Sequence, residues 1–279
     1  MAAPWRVVLI TVVPQIAQGY TETVRALGHE PVAVIASRRR AAGIPPTPLG
    51  PAMVTDAPEG LDLHFVEKRR SIAPLLRAYE ADQALCTGFP WLIPAEAIDA
   101  PRLGIVNGHP SLLPRYRGPF PVAWAVRNGE SEIGMTYHLM DAAFDTGPVL
   151  AQASVPLGDD ETWEELQSKL GELAPQLLSE VFERLARGDR GDAQIGAGEY
   201  QSVFDADYWY VDLTQTAAEV HRQTRAWSFM PPVLPVLGPI LERDGTSVRL
   251  LWTSLTEVAG AERLDCADGP LWVLDSAPL

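Results

Sequence analysis

Apolar runs alternate with segments of helical periodicity along the first two thirds of the chain. Residues 5–13 and 31–36 are short, apolar and rich in Val and Ile, which is typical of buried strands. Between them, residues 15–27 have the pattern of an amphipathic helix. A strand, a helix and a strand in this order predict a βαβ unit, and therefore a parallel sheet covered by helices.

The same patterns predict more elements downstream. Strands are predicted at 61–66, 83–87, 104–106, 133–139 and 149–155, and a helix at 71–79. Thr162 and Glu165 form a capping-box pattern ahead of a second amphipathic helix. Residues 41–60 are rich in Pro, Gly and Ala without periodicity, so we expect a long loop there. The fold class predicted is α/β, with a doubly wound, mostly parallel sheet.

A Gly- and Asp-rich stretch at 188–198 predicts a linker between two domains. We expect a first domain over residues 1–195 and a second over 200–279. In the second, a helix is predicted at 213–226, followed by short strands at 233–237, 248–252 and 271–274. The second domain should therefore be small and β-rich.

The formal net charge of −14 argues against a nucleic-acid partner, because that contact needs Lys and Arg at the phosphates. The first predicted strand is not followed by the glycine motif of a dinucleotide site. The two cysteines lack the spacing of a metal site, and we expect no metal. Neither a signal-peptide pattern nor a membrane-spanning apolar run is present, so a cytoplasmic protein is expected.

Three polar residues stand beside the predicted strand ends. Asn107 and His109 are two positions apart, so their side chains should project from the same side of a strand that ends at Pro110, and Asp145 follows another strand. We expect all three at an exposed rim. An amide donor, an imidazole and a carboxylate suit acyl transfer. Taken singly, each also has a structural interpretation: Asn107 and Asp145 as turn residues, and His109 as a core histidine.

Together with their neighbours, these residues resemble a known family. Residues 107–118 match the pattern N-x-H-x-S-L-L-P-x-x-x-G, and Asp145-Thr146-Gly147 matches D-x-G. The chain resembles the folate-dependent formyltransferases, which include glycinamide ribonucleotide transformylase, methionyl-tRNA formyltransferase and the sugar N-formyltransferases. The resemblance implies transfer of a formyl group from 10-formyltetrahydrofolate to an amine through a tetrahedral intermediate. It assigns catalysis to Asn107, His109 and Asp145.

The resemblance also implies where the folate binds. Two loops match the family's folate loops, with the residues Phe89, Trp91, Leu92, Ile93, Met140, Asp141, Ala142, Ala143 and Phe144. Supporting roles are expected for His138, Gly118 and Gly147. Apolar side chains would flank the ring while backbone groups contact its polar edge.

The acceptor is the least determined part of the prediction. We expect a small molecule with an amine, such as a sugar nucleotide, an amino acid or a biosynthetic intermediate, with Arg38, Arg39, Arg40, Ser111 and Arg117 as candidate binding residues. Residues 200–279 hold eleven acidic residues against five arginines and no lysine, which is unfavourable for tRNA. Methionyl-tRNA is the alternative acceptor. A formyl-folate hydrolase and a folate-binding protein without turnover are further alternatives.

Overall fold

The computed structural model describes residues 3–37, 49–196, 198–230, 238–243 and 245–279. The chain divides into two compact units. The first comprises Met1–Arg117, Gly134–Val155 and Ser168–Tyr200, and the second comprises Gly118–Ile133, Pro156–Gln167 and Gln201–Leu279. Both are assembled from separated stretches of sequence. The expected boundary between residues 195 and 200 stays a prediction.

A seven-stranded sheet, most of it in the first unit, has the order β3-β2-β1-β4-β5-β6-β7. Its strands are β1 (Arg6–Ile10), β2 (Glu30–Ser37), β3 (Asp62–Val66), β4 (Gln83–Cys86), β5 (Ile105–His109), β6 (Glu132–Leu139) and β7 (Val149–Pro156). The pairs from β3 to β5 are parallel, whereas β5 and β6 are antiparallel. The doubly wound, mostly parallel sheet is therefore confirmed. The strand order changes direction between β1 and β4, where such sheets form ligand crevices.

Alternate residues of the central strands pack on opposite faces of the sheet. Val7 and Leu9 of β1 pack in a cluster on one face, whereas Val8 and Ile10 pack in a second cluster on the other. All four side chains are fully buried. A strand that is covered on both faces has no polar alternation, which is why these segments are continuous apolar runs.

Seven α-helices accompany the strands in the described part of the chain: α1 (Pro14–Ala26), α2 (Leu49–Thr55), α3 (Ile72–Ala78), α4 (Ala95–Ile98), α5 (Pro121–Arg127), α6 (Trp163–Ala186) and α7 (Ala217–Ser228). The capping box of α6 is confirmed, because the Glu165 backbone N–H donates to the Thr162 hydroxyl (3.2 Å) and the Thr162 N–H donates to the Glu165 carboxylate (2.9 Å). Among these residues no helix has both the length and the apolar character to cross a bilayer.

The loop expected over 41–60 is partly wrong, since α2 occupies Leu49–Thr55. Proline is tolerated in the first turn of a helix, so Pro51 does not prevent it. Met53 is fully buried, whereas Val54 is 63% exposed. Among the side chains of α2 that the structure describes, residues 52–55, only that of Met53 is buried, and so short an apolar pattern does not predict a helix. Residues 41–48 lie outside the described residues.

The second unit contains an antiparallel sheet of order β10-β11-β9-β8. Its strands are β8 (Ile240–Arg243), β9 (Thr246–Ser254), β10 (Glu262–Asp265) and β11 (Pro270–Pro278). The predicted strands at 248–252 and 271–274 are confirmed, and they lie within β9 and β11. Strands β8 and β10 were not predicted. The predicted strand at 233–237 lies outside the described residues. Helix α7 begins later than predicted, because a capping box between Thr216 and Glu219 fixes its start.

Candidate active site

Strand β5 carries Asn107 and His109, with Gly108 between them on the opposite face. A Cβ at Gly108 would lie 2.5 Å from the Thr87 hydroxyl and 2.6 Å from that of Tyr20, so a side chain there would displace buried groups. Asn107-Gly108 is therefore part of a strand and not a turn. The strand ends at His109, immediately before Pro110, as predicted.

Asp145 is the point at which the polar side chains converge. Its Oδ1 lies 3.2 Å from Nδ2 of Asn107, 3.6 Å from Nδ1 of His109 and 3.6 Å from Nε2 of His138. The structure thus brings the three predicted residues together and adds His138, which pairs with Asn107 across β5 and β6. Asp145 has a φ of 56°, a left-handed conformation that aspartate tolerates better than most residues.

A hydrogen bond from the His109 ring determines which of its nitrogens carries a hydrogen. Its Nε2 lies 2.8 Å from the Tyr116 carbonyl oxygen, which can only accept, so Nε2 carries a hydrogen. Burial lowers the pKa of His109 below its ordinary value, while the Asp145 carboxylate and the Tyr116 carbonyl act in the opposite direction. The neutral ring then has its lone pair on Nδ1, facing Asp145.

His138 and Asn107 form a linked pair. Nδ1 of His138 lies 3.0 Å from the Leu139 carbonyl oxygen and donates to it, so in the neutral ring Nε2 accepts. Nδ2 of Asn107 lies 3.1 Å from that Nε2. The amide therefore directs one hydrogen at His138 and the other at Asp145. Both donors of Asn107 already have protein acceptors, which sequence reasoning did not anticipate.

The expectation of an exposed rim is wrong for His109. Its residue is only 5% exposed, and the Asp145 side chain is 11% exposed. The cause is the segment after β5, which returns over the strand end and places the Tyr116 carbonyl against the ring. Ser111 is fully buried and its hydroxyl donates to the Arg115 carbonyl (2.8 Å), so it stabilises the segment after β5. Its contact with an acceptor stays a prediction.

The two predicted folate loops border one narrow cleft of about 30 Å³ beside Asp145. Its lining residues are Trp91, Leu92, Ile93, His138, Met140, Asp141, Ala143, Phe144 and Asp145. Of the predicted set, Phe89 and Ala142 are missing from this lining, and Phe89 instead packs edge-on against Trp91. Oδ1 of Asp141 accepts from the Ala143 backbone and the Thr146 hydroxyl, so this carboxylate stabilises its own loop.

Only part of the candidate acceptor set, Ser111 and Arg117, lies among the described residues. Arg38, Arg39 and Arg40 lie outside the described residues. The guanidinium of Arg117 contacts Gln194 and the Gly198 carbonyl, and Gly118 follows it with a φ of 114°. Binding of an acceptor by these four arginines stays a prediction.

Gln194 is the residue that sequence reasoning missed. Its Nε2 donates to the backbone carbonyls of Asp145 (2.9 Å) and Gly147 (2.8 Å). Its position in a Gly- and Asp-rich stretch indicated only a linker. Its partners Asp145 and Gly147 are far from it in sequence, so these contacts leave no local pattern. A single Gln in a Gly- and Asp-rich stretch was the one signal available.

The family model described as formyl transferase matches residues 5–182, which include Asn107, His109 and Asp145. The chain belongs to the formyl transferase family.

This member of the formyl transferase family is similar to the methionyl-tRNA formyltransferase of Paracoccus denitrificans. The two sequences are 32% identical over 262 residues, which cover 90% of this chain and 86% of the relative. That of Trichlorobacter lovleyi is 31% identical over 217 residues and covers 75% of this chain. The match spans 66% of that relative and 58% of another methionyl-tRNA formyltransferase, from Pelobacter propionicus. Several of these relatives therefore extend well beyond the matched region.

The solved structure of HypX from Aquifex aeolicus in complex with tetrahydrofolic acid has the same fold, with a TM-score of 0.69. The likeness covers 99% of this chain and 44% of HypX at 17% identity. At that identity the likeness shows the fold and nothing further.

Proposed function

We propose that this member of the formyl transferase family transfers a formyl group from 10-formyltetrahydrofolate to an amine. The observation that carries the proposal is the convergence of Asn107, His109 and His138 on Asp145, beside a cleft bordered by both predicted folate loops. Family membership supports the same chemistry.

His109 and Asp145 suit the handling of a proton. The lone pair on Nδ1 of His109 and the carboxylate Oδ1 face one another at 3.6 Å, too far apart for a hydrogen bond between them. An amine nitrogen that approaches both atoms can donate to each of them. When it attacks the formyl carbon, this pair accepts its excess proton. As the bond between that carbon and the folate nitrogen breaks, the pair returns a proton to that nitrogen, which leaves as the neutral amine of tetrahydrofolate.

Asn107 suits stabilisation of the negative charge that develops on the formyl oxygen. An amide in such a position typically contributes about 3 kcal/mol. Because its two hydrogens are directed at His138 and Asp145, we propose that one of these bonds is shared or exchanged when the formyl oxygen arrives. His138 then holds the amide plane in place.

The residues of the cleft fit a folate ring in kind. Trp91, Leu92, Ile93 and Met140 provide apolar walls, with polar groups at the Asp145 end. When bound, 10-formyltetrahydrofolate supplies the activated formyl group. The cleft of about 30 Å³ is smaller than ligand pockets, which commonly measure about 300–1,000 Å³, and we propose that the two loops separate when the ring binds.

The comparisons favour methionyl-tRNA as the acceptor over the small molecule expected from the sequence, since the curated relatives reported above are methionyl-tRNA formyltransferases. The acidic composition of residues 200–279 favours the small molecule. We therefore propose methionyl-tRNA first and a small amine second.

The decisive experiment incubates the purified protein with 10-formyltetrahydrofolate and either Met-tRNA or a panel of amino sugar nucleotides and amino acids, and measures both tetrahydrofolate and the formylated product. We expect stoichiometric product with one acceptor class. Formation of tetrahydrofolate from 10-formyltetrahydrofolate without any acceptor would indicate a hydrolase. Binding of 10-formyltetrahydrofolate without turnover would contradict formyl transfer.

A further inference from the structure

Gln194 joins the two loops that flank His109. On one side, its Nε2 donates to the backbone carbonyls of Asp145 and Gly147. On the other side, its Oε1 accepts from Nη2 (2.7 Å) and Nε (3.3 Å) of Arg117. The third Arg117 contact, from Nη1 to the Gly198 carbonyl, fixes the guanidinium to the segment that contains Gln194. We call Gln194 and Arg117 the clasp.

The clasp reaches both partners of His109. Asp145 faces Nδ1 of the ring, and Tyr116, the neighbour of Arg117, accepts from Nε2. Both partners have left-handed backbones, with φ of 56° for Asp145 and 57° for Tyr116. A bulky residue such as tyrosine rarely adopts this conformation, and it persists only where the surroundings impose it. The residues of the clasp adjoin both strained positions.

We propose that Gln194 is a positioning residue, which together with Arg117 holds the Asp145 carboxylate and the Tyr116 carbonyl on opposite sides of His109. Gln194 suits this role because one amide both donates and accepts, so a single side chain can bind carbonyls on one loop and a guanidinium on the other. The inference rests on the proposed function as far as catalysis is concerned.

Two variants separate the contacts of the clasp, and a third is their control. Gln194→Ala removes the contacts with the carbonyls of Asp145 and Gly147 and the contacts with Arg117. Gln194→Glu keeps an acceptor for Arg117 but places a carboxylate against the carbonyls of Asp145 and Gly147, so it breaks that side alone. Ile195→Ala is the matched control, because Ile195 is the next residue and is 90% exposed.

We expect Gln194→Ala and Gln194→Glu to lower kcat about tenfold to a hundredfold with an unchanged Kd for formyl-folate, since small misplacements of reacting groups have effects of this size. Ile195→Ala should behave as wild type. In the Asp145→Asn background, Gln194→Ala should have little further effect, because groups that act as a unit are not additive. Additive losses would contradict the proposal, and so would full activity of Gln194→Glu.

A measurement independent of turnover is the pH titration of the His109 ring by ¹⁵N NMR, assigned with His109→Gln. When the clasp is removed, the Asp145 carboxylate and the Tyr116 carbonyl should move away from the ring. Because both groups raise the pKa of His109, its titration should shift to lower pH. An unchanged titration in both Gln194 variants would overturn the proposal even if wild-type protein formylates nothing. If Gln194→Ala does not fold, Gln194→Glu carries the same test.

Discussion

Asp145 combines a charge requirement with a backbone requirement, and one substitution separates them. Asparagine has the same shape and also tolerates a left-handed backbone, so Asp145→Asn removes only the charge. We expect kcat to fall at least about a hundredfold, as is typical for loss of acid–base catalysis. The chemical denaturation midpoint should be unchanged, and Asp275→Asn, at an exposed carboxylate, is the control. Retained turnover in Asp145→Asn would contradict the role assigned to the carboxylate.

His109 makes a second prediction, concerning pH. Because burial lowers its pKa, the folded protein holds the neutral ring below the pH at which an exposed histidine takes up a proton. The acid limb of kcat/KM should therefore lie below about pH 6.5. An acid limb above that value would show that the ring is hydrated in the working enzyme.

The same shift has a consequence for stability. Below about pH 6.5, His109 is protonated in the unfolded chain but stays neutral in the folded chain until the pH is lower. The free energy of unfolding therefore falls as the pH is lowered. His221 is also buried with a lowered pKa and contributes in the same direction. His221→Gln is thus the control, because it should weaken the pH dependence of stability and leave the acid limb of kcat/KM in place.

At the scale of elements, the loop between β6 and β7 depends on Gly147. A Cβ there would overlap the Leu139 carbonyl oxygen, so Gly147→Ala must move the backbone two residues from Asp145. We expect it to cost about 1–3 kcal/mol of stability together with most of the activity. The matched control is Gly171→Ala inside α6, where a Cβ meets nothing and should stabilise by about 0.5–1 kcal/mol. Thermal unfolding and kcat of both variants would test the difference.

The elements also show what the sequence could predict. Alternation in β5 and the stop at Pro110 correctly placed Asn107 and His109 on one side of a strand. The antiparallel pairing that puts His138 opposite Asn107 could not be predicted, because a short apolar run does not reveal its neighbour's direction. Gln194 was missed for a related reason: its partner Arg117 is 77 positions away. Burial of His109 depends on how the 110–118 segment folds back, which no local pattern encodes.

At the scale of the whole molecule, charge bears on the acceptor. The protein carries a net charge of −14, yet Arg38–Arg40 follow directly on β2, which ends at Ser37. We expect neutralisation of these three arginines to Gln to raise the KM for a phosphate- or carboxylate-bearing acceptor, and to leave the formyl-folate Kd unchanged. With Met-tRNA, binding should also become less salt-dependent.

The chain offers a matched control in a second basic run, Lys68-Arg69-Arg70, whose three residues are exposed. Arg69 and Arg70 lie in a short helical turn before α3, and Lys68 directly precedes that turn. Neutralising Lys68, Arg69 and Arg70 should leave the acceptor KM and the formyl-folate Kd unchanged. Equal effects of the two triple variants would mean that net charge alone is responsible, and that Arg38–Arg40 form no specific contact.

The position of Gln194 has a practical meaning for the choice of fragments to express. The span matched by the family model ends at residue 182, and a fragment cut there would keep Asn107, His109 and Asp145 but lose Gln194 and Gly198. Such a fragment would retain every residue of the recognisable motifs and still lack the side chain that connects the loops around them. Boundaries drawn from motifs alone would thus remove a part of the site that carries no motif of its own.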